Sequence, residues 1–179
     1  MKQTRPILND QDFKRIISRI AHEITEIHRG AQDLALVGIQ TRGDFLAKRL
    51  ADQIRHIEGV TLPVGSMDIN MYRDDWTKIS RQPIVRPSDI PFNVDDKIII
   101  LVDDVLYTGR TIRAAMEALM DFGRPARIEL AILVDRGHRE LPIQADYRGI
   151  FVDTEHQDTI HVHVYEHDNQ DLVFKEIAQ

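Results

Sequence analysis

Cysteine is absent from this 179-residue chain. That excludes disulfide staples and thiolate chemistry, and it agrees with a reducing, cytoplasmic setting. No apolar run approaches the roughly 20 residues that a helix needs to cross a bilayer, so no membrane partner is expected. The first residues, Met1-Lys2-Gln3-Thr4-Arg5-Pro6, lead into a polar, helix-like segment rather than a signal peptide. Positive charge is in the minority: 23 Lys and Arg face 29 Asp and Glu, a formal net charge of -6. This balance argues against wholesale nucleic-acid binding and leaves room for a local basic face. The histidines fall at no metal-ligand spacing, and His161 and His163 alternate as on the outer face of a strand. Internal repeats and low-complexity tracts are also missing. What remains is 42% hydrophobic and 29% charged, an ordinary globular composition and enough for one domain over residues 1–179.

The elements follow from periodicity. Asn9 is a helix N-cap with Asp12 placed as in a capping box. Phe13, Ile16, Ile17, Ile20, Ile24 and Ile27 then repeat at helical spacing until Arg29-Gly30. Leu34 to Ile39 is a short apolar strand running into Thr41-Arg42-Gly43, and a second helix carries Phe45, Leu46, Leu50 and Ile54. Val64 to Met71 predicts a strand with one polar face. Residues 72–91, with Arg73, Trp76, Lys78, Arg81 and Arg86, have little periodicity and suit a long lid loop. Arg127 to Val134 is a third apolar strand, and shorter strand-like segments follow at Gly149–Val152, His161–Tyr165 and Leu172–Phe174. Strands alternating with helices predict an α/β fold with a mainly parallel central sheet flanked by helices.

Residues Ile99 to Thr111 carry the chemistry. Four apolar residues form a buried strand, and Asp103 and Asp104 stand where it should end. Thr108-Gly109-Arg110-Thr111 follows, then a helical pattern over Ile112 to Phe122. Backbone N–H groups at such a helix start can hold a phosphate. The carboxylates can accept hydrogen bonds from vicinal hydroxyls, or act through water on a divalent cation. Taken alone, paired aspartates are as well explained by a solvated strand end. In parallel sheets, however, ligands bind beyond the carboxyl ends of the strands. Thr41-Arg42-Gly43, Asp103 to Thr111, and Asp135-Arg136 should all line that one crevice.

The Ile99–Thr111 segment resembles the phosphoribosyl-pyrophosphate signature of the type I phosphoribosyltransferases. Further runs resemble one branch of that family, the pyrimidine-operon attenuation regulators that are also uracil phosphoribosyltransferases. They are Arg19-Ile20-Ala21-His22-Glu23, Gly38-Ile39-Gln40-Thr41-Arg42-Gly43, Tyr72-Arg73-Asp74-Asp75, Gly123-Arg124-Pro125, and Val134 through Pro142. The resemblance covers the chain from the first helix to about Gly149. It implies the type I phosphoribosyltransferase fold, with a lid loop over 72–91 and a small C-terminal hood.

The resemblance also implies transfer of ribose 5-phosphate from phosphoribosyl pyrophosphate to uracil, giving UMP and pyrophosphate. Asp103 and Asp104 would hold the ribose hydroxyls. Val105, Leu106, Tyr107, Thr108, Gly109, Arg110 and Thr111 would form the 5-phosphate and sugar loop. Thr41, Arg42 and Gly43 would face the pyrophosphate, with a non-proline cis peptide expected in the Thr41-Arg42 turn. Asp135 and Arg136 would frame the base, and Arg73 would close over the leaving group from the lid. Mg²⁺ would arrive with the substrate and meet Asp103 and Asp104 through water, with no direct protein ligand. In purine-using relatives the Tyr107 position is typically an aspartate that serves the ring as acid/base. A phenol, with a reference pKa of about 10, is poorly suited to that role, which favours a pyrimidine acceptor.

The branch further implies UMP-dependent binding of an RNA hairpin in the pyr leader transcript. The matching residues are Arg15, Ser18, Arg19 and His22 on the first helix, with His138 and Arg139. On residue type alone, Arg15, Arg19 and His22 equally fit the solvated face of an amphipathic helix. Gln144 and Ile150 depart from the Arg and Lys usual in RNA-binding relatives, and Asp153 to Asp158 is acidic. Two other readings stay open: a non-enzymatic RNA regulator that only senses the nucleotide, and a purine salvage transferase. A homodimer or higher homo-oligomer is expected.

Overall fold

Period-two alternation builds the centre of the molecule. In β2 (Leu34–Ile39), Leu34 and Leu36 join one core while Ala35, Val37 and Ile39 join the other. β4 (Ile98–Leu106) divides the same way, with Ile100 and Val102 against Ile99 and Leu101. Strands that are apolar on both faces need cover on both, which is the signature of a parallel sheet. The computed structural model describes residues 3–69 and 88–178. It places five parallel strands in the order β3-β2-β4-β5-β6, with β3 at Val64–Met67, β5 at Arg127–Asp135 and β6 at Tyr147–Phe151.

α1 (Asp10–His28) and α2 (Arg42–Glu58) cover one face, and α3 (Arg110–Met120) covers the other. α1 starts as expected. The Asn9 side chain accepts from the Asp12 N–H at 3.0 Å, Asp12 reaches back to the Asn9 N–H, and Arg29 ends the helix in the left-handed region. Phe13, Ile20 and Ile24 are fully buried beneath it, each contributing about 1.5–3 kcal/mol by removal from water.

Several boundaries differ from expectation. The strand expected to stop at the carboxylates runs on to Leu106, because β5 still pairs with it at Asp103, Val105 and Leu106. The third helix begins at Arg110 rather than Ile112. The strand expected over Val64–Met71 ends at Met67, and residues 70 and 71 lie outside the described residues. The C-terminal segments form β7 (Thr159–His163), the short α4 (Tyr165–Asp168) and β8 (Leu172–Ile177). β1 (Gln3–Leu8) was not anticipated: its polar sequence and Pro6 give no strand signal. It joins a separate antiparallel sheet, β1-β8-β7, as an edge strand, with an irregular register between Pro6 and Leu8. Proline is tolerated at such an edge because no ladder donor is missed there.

Most of the expected lid, including Arg73, Trp76, Lys78, Arg81 and Arg86, lies outside the described residues. Its far end is tied down. Ser66 and Asp89 exchange backbone hydrogen bonds of 2.7 and 2.8 Å at the outer edge of β3.

Candidate functional site

β2 pairs with β4 only as far as Gly38 and Val102. Beyond that point β4 continues alone on its β2 side, so Asp103 and Asp104 stand beside the turn that leads into α2. Two glycines allow the turn to come so close. A Cβ on Gly38 would lie 2.4 Å from the Asp44 Cα, and one on Gly43 would lie 2.4 Å from the Val102 carbonyl oxygen. Without them α2 could not seat its first turn on the strand ends. The expected cis peptide is present, one bond earlier than the Thr41-Arg42 link, between Gln40 and Thr41.

The carboxylates are held by the chain itself. Asp103 Oδ1 accepts from the Asp104 N–H at 2.9 Å, and Asp104 Oδ1 accepts from the Val105 N–H at 2.8 Å. Burial pushes the Asp104 carboxyl above its usual range; the Arg42 charge and the Val105 N–H pull partly against that. Arg42 therefore faces this carboxylate electrostatically. Its hydrogen bonds, however, go to Asp168 on α4, through Nε at 3.0 Å and Nη2 at 2.8 Å. Seven residues on, Arg49 makes a similar grip: Nε and Nη2 reach Glu166, and Nη1 and Nη2 reach Asp171. Burial works against the Arg49 charge, but these two carboxylates win and hold it further above the usual guanidinium range. Two arginines two helical turns apart thus fasten the C-terminal layer to α2.

After β4 the chain turns through Thr108 and Gly109. Gly109 has φ +92 and caps α3, a conformation that glycine adopts without strain. The Thr108 carbonyl accepts from the Glu140 and Leu141 N–H groups, and the Arg110 N–H donates to Thr108 Oγ1 at 3.3 Å. The turn is thereby braced with the first-turn N–H groups of α3 directed into it.

The third turn closes the crevice. Arg136 is buried at 6% exposure, and its guanidinium lies 4.1 Å from the Tyr107 ring centroid. Its Nη2 donates to the Glu155 carbonyl at 3.0 Å, and its Nε finds no partner among the described residues. The Tyr107 hydroxyl lies 3.1 Å from His156 Nδ1, and His138 and His156 pack with centroids 4.3 Å apart. Asp135 does not open to the crevice: its carboxylate takes the Gly137 N–H and pairs with Arg139 at 2.7 Å. Three of the four buried side-chain atoms lacking a partner among the described residues belong to this end of the sheet: Gln40 Oε1, Asp44 Oδ1 and Arg136 Nε.

All three expected turns are brought together. The RNA candidates form two groups. Arg15 projects from α1 at 77% side-chain exposure, the Ser18 carbonyl holds His22 Nδ1 at 2.8 Å, and Arg19 pairs with Glu23. His138 and Arg139 are half-buried. His138 Nε2 reaches the Thr154 carbonyl, and Arg139 is spent on Asp135 and the carbonyls of Tyr107, Gly137 and Ile143. Sequence reading missed Asp168, Arg49 and His156. Nothing local marks any of the three, because the partners of each lie far along the chain. Among the described residues no cluster of three or more acidic or histidine side chains is arranged to hold a metal directly. The Asp103-Asp104 pair instead suits an ion that keeps its waters and substrate phosphates.

The phosphoribosyl transferase domain model matches residues 4–170. A protein of Alkaliphilus metalliredigens called Bifunctional protein PyrR is 56% identical over 170 residues, covering 95% of this chain and 93% of that one. A protein of Bacillus mycoides with the same name is 54% identical over 175 residues, covering 97% of each. Among solved structures, a hypoxanthine phosphoribosyltransferase of Staphylococcus aureus aligns with a TM-score of 0.71 at 19% identity, over 97% of this chain and 92% of that chain. A hypoxanthine-guanine phosphoribosyltransferase of Bacillus anthracis gives 0.70 at 13% identity, over 97% and 98%. At such identities these two speak for the fold alone. No helix among the described residues is long and apolar enough to cross a membrane.

Proposed function

Because the chain belongs to the phosphoribosyl transferase family, we propose that it moves ribose 5-phosphate from phosphoribosyl pyrophosphate to N1 of uracil. Its second activity, on this reading, is UMP-dependent attenuation of pyrimidine-operon transcription through an RNA hairpin. The single observation that carries the enzymatic half is the release of β4 from β2 after Val102, which sets Asp103, Asp104 and Arg42 around one space beside the Thr108–Thr111 turn. The shared name of relatives at 54–56% identity supports both halves.

The transition state for such a transfer is oxocarbenium-like, with negative charge growing on the departing pyrophosphate. Catalysis then consists of holding the sugar in line and stabilising that charge. The α3 N-terminus and the Thr108 and Thr111 hydroxyls grip the 5-phosphate, while Asp103 and Asp104 accept from the ribose hydroxyls. Arg42 must exchange Asp168 for the pyrophosphate, a trade between two anionic partners of one guanidinium. Mg²⁺ carried by the substrate would meet Asp103 and Asp104 through water, and it supplies charge neutralisation at the leaving group. Arg73 and the rest of 72–91 are assigned to closure over the site. Arg136 frames the base, while Asp135, turned away from the crevice, holds Gly137 and Arg139 behind it. Tyr107, with a guanidinium on its face and an imidazole at its hydroxyl, serves as a wall, which favours a pyrimidine. The chain is read as one domain over 1–179, assembled as a homodimer or higher oligomer.

Uracil-dependent pyrophosphate release tests the enzymatic half. Wild type should turn over, and Arg42→Ala should lose nearly all of it. Turnover undiminished in Arg42→Ala would remove this assignment. A gel-shift titration with leader RNA, with and without UMP, tests the regulatory half; binding that is salt-sensitive and enhanced by UMP is expected.

A further inference from the structure

β6 is the free edge of the parallel sheet among the described residues, and it ends on an exposed aromatic. Phe151 is 55% exposed. The Arg148 guanidinium, at 52% side-chain exposure, sits 5.7 Å from its ring centroid and reaches the buried Asp135 carboxylate through Nη1 only at 3.7 Å. Phe151 forms the rim of a groove of about 500 Å³ between β6 and β1, shared with Ile150, Arg5 and Lys175. Arg5 has no ion-pair partner among the described residues. Lys175 pairs with Asp158 at 3.2 Å, and Asp153 is the acid on the groove wall.

The position of this rim is informative. Arg19, on the outward face of α1, donates to the backbone carbonyls of Arg148 and Gly149 and so is pinned against β6. On its other side, a methyl placed on Gly137 would lie 3.7 Å from the Phe151 ring, which puts the ring against the loop carrying His138 and Arg139. Phe151 and Arg148 therefore bridge the RNA candidates on α1 and those on the loop after β5. An exposed aromatic with an arginine over it, beside further basic residues, is the combination that holds unpaired bases: the ring stacks and the cations take phosphates. RNA loops, whose bases splay out, are the partners that use it. A chain with formal net charge -6 would otherwise repel a polyanion, so affinity must concentrate where positive groups gather.

Resting on the RNA reading above, we propose that Phe151 and Arg148 are RNA-contacting residues of this chain. Phe151 stacks on an unpaired base of the bound loop, and Arg148, with Arg5, takes the flanking phosphates. Ile150 stands where RNA-binding relatives usually carry a positive charge. Here the strand still offers RNA a surface, through the residues on either side of Ile150.

The test is an anisotropy titration of the full chain with a labelled hairpin RNA carrying the pyrimidine-operon leader loop, in the presence of UMP and across a salt series. Phe151→Ala should weaken binding about tenfold and Phe151→Tyr should restore it. Arg148→Gln should weaken binding and lower the salt slope by about one. Melting temperatures of the variants check folding. Wild-type binding with unchanged affinity in Phe151→Ala and Arg148→Gln would overturn this assignment and leave the RNA reading intact. Absence of wild-type binding would overturn both. Weakened binding accompanied by a shift of oligomeric state in sedimentation would give the face to a second copy of the chain, and would also overturn it.

Discussion

The two ends of the central sheet bury charge in opposite ways. At the entry end, Glu129 on β5 is 5% exposed and fully engaged. It accepts from the Tyr147 hydroxyl at 2.7 Å, contacts His28 Nε2 at 2.9 Å and pairs with Arg127 at 3.0 Å. Burial alone would push its carboxyl up, but hydrogen bonds from Tyr147, His28 and Arg127 outweigh that and hold it below the usual range. Burial and that same carboxylate push the Tyr147 phenol up. At the exit end the balance reverses. Asp104 is pushed up, and Gln40 Oε1, Asp44 Oδ1 and Arg136 Nε lack partners among the described residues. Buried polar groups left incomplete are unfavourable unless a ligand completes them. One end is finished by the chain, and the other waits for a substrate.

That contrast can be broken at several points. The largest effect is expected for Asp104→Asn: uracil turnover should fall about 10³-fold, while the melting temperature holds or rises because a desolvated carboxylate is gone. Parallel loss of activity and stability would make Asp104 a structural residue instead. Glu129→Ala should do the reverse. Breaking a buried charged network costs about 3 kcal/mol, or about 10 °C in melting temperature, with turnover at low temperature near wild type. A collapse of turnover in folded protein would mean the two ends are not separable. Gly43→Ala lies between the two. Its Cβ meets the Val102 carbonyl, so α2 must shift, costing about 2 kcal/mol and raising the KM for phosphoribosyl pyrophosphate. An unchanged KM would show that the close approach is not needed for the site.

The smallest effect concerns the clamp between α2 and α4. Burial would push Glu166 and Asp168 up, but hydrogen bonds from Arg49 and Arg42 hold both below the usual carboxylate range. Groups whose folded pKa is depressed contribute stability that is present above the unfolded value of about 4 and is lost as pH falls through the folded one. Arg49→Gln should therefore lower the melting temperature at pH 6, and the gap to wild type should narrow as pH falls below about 4. A gap that stays constant across that range would exclude the ionic clamp.

Where residues declare themselves locally, sequence was enough. The capping box at Asn9, the two-faced apolar strands at Leu34 and Ile99, and the three turns of the crevice all depend on neighbours in the chain. What escaped depends on distant partners. β1 exists because β8 pairs with it, and nothing in Gln3 to Leu8 encodes that pairing. Asp168 matters because Arg42 reaches it across the fold. His156 comes to Tyr107 on a loop that Arg136 and His138 hold from elsewhere in the fold, with Asp158 bracing it from within. The end of β4 differs from expectation for a related reason: carboxylates look like a strand's end, yet β5 keeps pairing past them.

The unfinished end of the sheet is assigned the transfer of phosphoribosyl groups to a pyrimidine. The most direct test of that assignment supplies uracil, hypoxanthine and guanine together with phosphoribosyl pyrophosphate and Mg²⁺, and follows each base by chromatography. Uracil alone should be consumed, with UMP and pyrophosphate formed in equal amounts. Consumption of a purine in preference to uracil, or of no base at all, would contradict it.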